Sequence, residues 1–149
     1  MSVDPFDQWT GEEIAQEEID ELLDSAGWGI LSMAVDSDVY SLPISFGYTG
    51  DDIYFAFIRE SPSDTKFEYI SDGQHVRLIV TDVNSRIDWR SVAVSGPVTS
   101  IERGGDEWTD LLDSLEDNAW FSSDYRLATM SKGLHGFRLD AEEQQGVGF

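Results

Sequence analysis

The chain has no cysteine, only two histidines, and only two lysines, Lys66 and Lys132. The first absence excludes disulfides, thiolate nucleophiles and cysteine-held metals. With His75 and His135 far apart in sequence, a zinc site has almost no ligands to draw on, and no metal is expected. No P-loop, dinucleotide fingerprint or G-x-S-x-G elbow occurs. No run approaches the roughly 18 apolar residues of a membrane helix, and the first residues lack the basic-then-apolar order of a signal peptide, so a cytoplasmic location is expected. The scarcity of cations goes further. Nine Lys and Arg stand against thirty Asp and Glu, a formal charge of −21. Nucleic acid and anionic membrane surfaces are therefore excluded as expected partners, because both are bound through basic surfaces. Dispersed carboxylates suit concentrated salt, where screening shrinks to about 3 Å at 1 M, so a halophilic source is expected.

What is present reads as one folded domain over residues 1–149. Hydrophobic residues make up 40% of the chain and aromatics 12%, enough for a substantial core. "TGEEIAQEEIDELLDSAG" predicts a helix over about 11–26, with a Thr10–Glu13 capping box, an apolar face of Ala15, Ile19, Leu22, Leu23 and Ala26, and Gly27 as terminator. "WGILSMAV", "VYSLPISFGY" and "DIYFAFI" are short, aromatic and β-branched, and predict a three-stranded antiparallel meander. A helix of two to three turns follows, capped by Ser63 or Asp64, with Lys66 in its first turn and Gly73 as terminator. "HVRLIVTD" and "DWRSVAVSGPVTSI" predict two more strands; along the second, Trp89, Ser91, Ala93 and Ser95 share a face, and Arg90, Val92, Val94 and Gly96 share the other. A helix over about 105–117 and a closing strand over about 134–140 complete the order α-β-β-β-α-β-β-α-β. The expected fold is mainly β with flanking helices, a six-stranded antiparallel barrel over about 28–102 closed by the last strand.

A phosphorylated, planar aromatic ligand needs a cation for its phosphate, an apolar slot for its ring and a few donors for its polar edge. Lys66 at a helix start offers the first. Ser41, Ser45 and Ser91 offer hydroxyls on separate strands, and Pro43 marks a strand position that donates no ladder bond. Taken singly, Lys66 reads as a surface charge, and Trp89, Tyr54 and Phe55 as packing.

Together, "YSLPISFGYTGDDIYFAF", "DTKFEYISDGQHVRLIVTD" and "WRSVAVSGPVTSI" resemble the pyridoxamine 5′-phosphate oxidase-related flavin-binding proteins of the FMN split-barrel superfamily, over about Trp28 to Ile101. The resemblance implies a homodimer holding FMN in clefts between its subunits. Lys66 matches the lysine that contacts the FMN phosphate. Ser41, Leu42, Pro43, Ile44 and Ser45 match the strand along the flavin ring, and Phe55 and Ala56 the strand beside it. Ser91, with Trp89 and Arg90 adjacent, matches the position that reaches the flavin from the later strand. No side chain is expected to act as a nucleophile; an FMN-dependent oxidoreductase is the leading expectation. A non-catalytic flavin-binding or ligand-sensing protein and a deazaflavin-dependent reductase are the alternatives. Two departures set this chain apart from the family's oxidases: Thr65 stands where they carry an arginine before the lysine, and "AEEQQGVGF" stands where they carry a substrate-binding arginine motif. Pyridoxamine phosphate is therefore not the expected substrate.

Overall fold

A computed structural model describes residues 11–58, 66–116 and 134–149; the side chains of Ile58, Lys66 and Phe67 lie outside that description. The described elements are β1 (Glu12–Glu13), α1 (Gln16–Ala26), β2 (Trp28–Val35), β3 (Asp38–Ser45), β4 (Gly47–Tyr48), β5 (Ile53–Ile58), α2 (Lys66–Tyr69), β6 (His75–Ser85), β7 (Asp88–Ile101), α3 (Asp106–Glu116), β8 (Leu134–Leu139) and β9 (Glu143–Gly148). All six expected strands form, and β1, β4 and β9 join them.

The strands are antiparallel and run in the order β3-β2-β6-β7-β8-β5-β4, with β9 on β7 and β1 on β9. Inward positions alternate along each strand as a half-buried sheet demands. Leu31, Met33, Leu78, Val80, Val92 and Val94 point inward and are buried, joined by Phe46, Phe55, Phe57 and Phe137. The expected alternation along β7 is observed: Val92 and Val94 have no exposed surface, while Ser91 and Ala93 on the opposite face are half-exposed.

Three sequence expectations are corrected. The first helix begins at Gln16, not at residue 11. Its N-cap is Ala15, without a side-chain cap, while Glu12 and Glu13 pair with β9 and the Ile14 N–H donates to the Gly146 carbonyl at 2.9 Å. Sheet pairing thus outcompetes the capping box, whose Thr10 lies outside the described residues. The helix does end at Gly27, in the left-handed region at φ 76°, and buries Ile19, Leu22 and Leu23. Secondly, the three-strand meander does not form as such. β3 pairs with β2 over its whole length, the chain breaks at buried Phe46, and only the two residues of β4 pair with β5. Thirdly, α2 is one turn among the described residues, and its expected caps Ser63 and Asp64 lie outside them. Its Tyr69 stacks on Tyr40 of β3, with centroids 5.2 Å apart and planes at 16°, which docks the helix beside β3.

The long β7 serves two neighbours along one edge, β9 through Arg90–Ser95 and β8 through Val98–Ile101. The β8–β9 connection crosses at Gly96, where the Asp140 N–H donates to the Pro97 carbonyl at 2.9 Å and the Glu142 N–H to the Ser95 carbonyl at 3.0 Å. A Cβ at Gly96 would run into the Asp140 carbonyl, so only glycine lets the two backbones pass. Gly96→Ala should accordingly cost about 2–3 kcal/mol through overpacking against backbone. Urea unfolding at fixed salt reads this directly, and an unchanged midpoint would contradict the tight crossing.

Candidate functional site

The strand order starts at β3 and ends with β5 and the short β4, and β3 lies near β5 without a ladder between them. β4 covers β5 only at Ile53 and Tyr54, so the main chain from Phe55 onward has no strand partner on that side among the described residues. This seam brings together the predicted segments Ser41–Ser45 and Phe55–Ala56. Lys66 opens α2, which lies beside β3 through the tyrosine stack. The Lys66 side chain itself lies outside the described residues.

Within these segments the side chains divide by face. Ser41, Pro43 and Ser45 point outward, with Ser41 and Pro43 exposed. Ser41 shares a 2.8 Å hydroxyl contact with Ser32, its register partner on β2. Leu42 packs against the core and Ile44 is buried in it, so only their main chain is available to a ligand. Phe55 is fully buried among Phe57 and Phe137, and Ala56 is buried beneath α3, so β5 too can offer only its main chain.

The third predicted segment is not at the seam. Ser91 stands on the same outer face as Ser45 but three strands away, about 14 Å at the usual strand spacing. Trp89 is half-buried, and its main chain exchanges hydrogen bonds of 2.9 and 3.3 Å with Phe149. Arg90 points to the opposite face, where it pairs with Asp82 at 3.3 Å and Glu21 at 3.5 Å. The structure therefore assigns Arg90 to anchoring α1 against the sheet and not to the outer face. One chain brings β3, β5 and α2 together; it does not bring Ser91 to them.

Sequence reasoning missed how the outer face is composed. Reading across the sheet, Pro43, Ile30, Ile79, Ala93 and Gln145 form one row, and Ser41, Ser32, Arg77, Ser95 and Glu143 the next. Trp28 is 43% exposed, Ile30 36%, Val39 69% and Val83 70%. On β2, β3, β6 and β7, no outward position carries Asp or Glu, in a chain where thirty of 149 residues do. The alternation in "WGILSMAV" and "HVRLIV" was the signal: neither stretch carries an acid on either face, and the outward positions still include Trp28, Ile30 and Ile79, which a sheet with one solvated face does not need.

Negative charge gathers elsewhere. A cleft of about 650 Å³ between α1, β4 and α3 is lined by Asp24, Asp52, Asp110 and Asp113, and by no cation among the described residues. Burial pushes the Asp52 carboxyl above its usual range; Arg138 opposes this, and Asp140, Glu107 and Asp51 add to it. A phosphate would be repelled there. Beside this cleft, Arg138 ties α3 to the sheet. It pairs with Glu107 and with Asp140, the latter at 2.7 Å, and Thr99 donates to Asp140 at 2.8 Å. Burial and the Glu107 charge push the Tyr54 hydroxyl, which donates to Glu107 at 3.2 Å, up to about 12.

The family model described as pyridoxamine 5′-phosphate oxidase matches residues 15–146. The chain belongs to that family. Among solved structures, an FAD binding protein from Mycobacterium smegmatis superposes with a TM-score of 0.70 at 17% identity, covering 93% of this chain and 98% of that one. An FAD-binding protein from Mesorhizobium loti gives 0.66 at 21% identity, covering 93% and 97%. An FAD and heme binding protein from M. smegmatis gives 0.62 at 19%, covering 89% and 70%. No curated protein sequence matches. These likenesses bear out the expected mainly β, antiparallel split barrel.

The Arg138 cluster gives a test with a defined sign. Desolvation alone would raise the Asp140 carboxyl, but the hydrogen bonds from Arg138 and Thr99 hold it below its usual range. Its folded value is thus below the unfolded one, so its stabilisation is full above about pH 4 and is lost as pH falls through the folded value. Arg138→Met should cost about 1–2 kcal/mol near neutrality, allowing for partial exposure. The gap to the wild type should narrow below about pH 4 in parallel urea titrations; a gap independent of pH would mean that packing, not charge, is what was lost.

Proposed function

We propose that the chain is a flavin-binding member of its family that holds FMN in a cleft completed by a second copy of itself, and that it acts as an FMN-dependent oxidoreductase. The observation that carries this reading is the division of the expected contacts. The seam of β3, β5 and α2 and the later position Ser91 lie on one outer face but about 14 Å apart. Two copies meeting through that face could bring the seam of one to the Ser91 of the other. The face itself suits such a meeting, being free of carboxylates on its four central strands and uncharged there apart from Arg77, whereas the remaining surface of a −21 chain repels its like.

The residues fit the group in kind. Lys66 would take the phosphate. The main chain of Leu42, Ile44, Phe55 and Ala56 would line the ring, where β3 and β5 leave backbone groups without a ladder partner. Ser41, Ser45 and the other copy's Ser91 would supply hydroxyl donors, and Trp89 would supply an aromatic wall. Bound flavin supplies the hydride or electron transfer, and the chain's own groups position it and set the charge around its polar edge. The FAD binding named for all three superposed proteins supports a flavin in this fold. High salt is the proposed working medium, on the strength of the charge alone.

Purification in several molar salt should give a yellow protein whose released cofactor has the mass of FMN; FAD or a deazaflavin would correct the cofactor, and a colourless protein that takes up no flavin would sink the reading. Reduced flavin reoxidised by quinones or nitroaromatics supports an oxidoreductase, whereas flavin inert to every acceptor supports a binding protein. Lys66→Ala should weaken FMN by about 1.5–3 kcal/mol, the range for a hydrogen bond to a charged group. Fluorescence titration measures it, and unchanged affinity removes Lys66 from the phosphate site.

A further inference from the structure

Arg77 stands in the middle of the outer face, exposed, and makes no hydrogen bond or ion pair within the described residues. In a chain with thirty carboxylates this is unusual company for an arginine to lack. The other outer-face charge in its row, Glu143 on β9, is likewise exposed and unpaired. Both are register partners of one residue: Arg77 lies opposite Ser95 from the β6 side, and Glu143 lies opposite Ser95 from the β9 side. They therefore flank β7 symmetrically, about 10 Å apart at the usual strand spacing. Between them stands Ser95, itself buried, and the next two positions on the same face of β7, Ala93 and Ser91, are also small, so another backbone can approach closely there.

This pattern is self-complementary. A twofold axis running along β7 in the plane of the face exchanges its two sides, carrying Glu143 of one copy over Arg77 of the other and the reverse. Resting on the two-copy reading above, we infer that Arg77 pairs with Glu143 of the partner subunit, twice per dimer, and that this exchange fixes the register of the two sheets. The chemistry requires some such partner. Once the apolar face is covered, an arginine left without a counter-charge would bear an uncompensated desolvation cost, which an interface tolerates badly. The carboxylate is also the rarer feature, since the central strands have none facing outward and Glu143 is the acid that shares this row.

The test uses the full chain and a charge swap. Sedimentation first establishes the wild type as a dimer; a monomer would overturn the two-copy reading and this inference with it. Exchange of subunits between copies carrying two different dyes then reads the dissociation rate. Arg77→Glu and Glu143→Arg should each speed exchange at least tenfold by placing like charges together, and the double variant should return to within about threefold of the wild type. Single variants that exchange at the wild-type rate, or a double variant as fast as the product of the singles, would overturn the Arg77–Glu143 pairing while leaving the dimer standing. Circular dichroism of each variant separates misfolding from dissociation, and Arg77→Met, which keeps the bulk and removes the charge, should give an intermediate rate if any of the singles fails to fold.

Discussion

The passage of two backbones at Gly96 is the constraint on which the remaining architecture hangs. β7 can serve β9 along its first half and β8 along its second only because the Asp140–Glu142 connection lies directly over a residue without a side chain. That handover holds the two sheet halves together. β8 carries β5, and no ladder among the described residues joins β5 or the short β4 to β3, so the ladders close the barrel everywhere except at one seam. The opening at the seam and the crossing at Gly96 are thus consequences of a single connectivity, and the groups expected to meet a ligand inherit their positions from it.

How much of this was legible depended on whether the governing interaction was local. Inward alternation along β2, β6 and β7 is written in the residues, and so is the stop at Gly27, because each follows from the period of the strand or from one backbone conformation. β9 was not legible. "EQQGVG" reads as a polar, glycine-rich tail, since glycine ordinarily weakens a strand. In the fold, Gly146 and Gly148 lie two apart on one face because Ile14 and Ile19 occupy the space a Cβ would need. Their spacing of two was the available clue. The lost capping box has the same origin: Glu12 and Glu13 are drawn into pairing with a strand more than 130 residues away in sequence, which no local pattern announces.

The candidate site was legible as residues and not as a place. Ser41, Pro43 and Ser45 do lie on one face, but the intervening Leu42 and Ile44 belong to the core, as a period of two requires. Arg90 falls on the face opposite Ser91 by the alternation alone, but its partners Asp82 and Glu21 are visible only in three dimensions. The distance between β3 and Ser91 likewise depends on the strand order, which places β2 and β6 between them. Charge, by contrast, could be read early in total but late in distribution. The acidic cleft and the carboxylate-free sheet face sit on one small body, and only the fold separates them.

That separation makes the molecule anisotropic as a diffusing object. Two copies approaching at random meet mutual repulsion over most of their surface, and least where the central strands carry no acid and Arg77 stands alone. Orientation is then selected at a distance, before any side chain touches, and wrong encounters are turned away without needing to be bound and released. Added salt removes this filter as it removes the repulsion. Specificity in such a body would shift from how copies collide to how well they fit once they have.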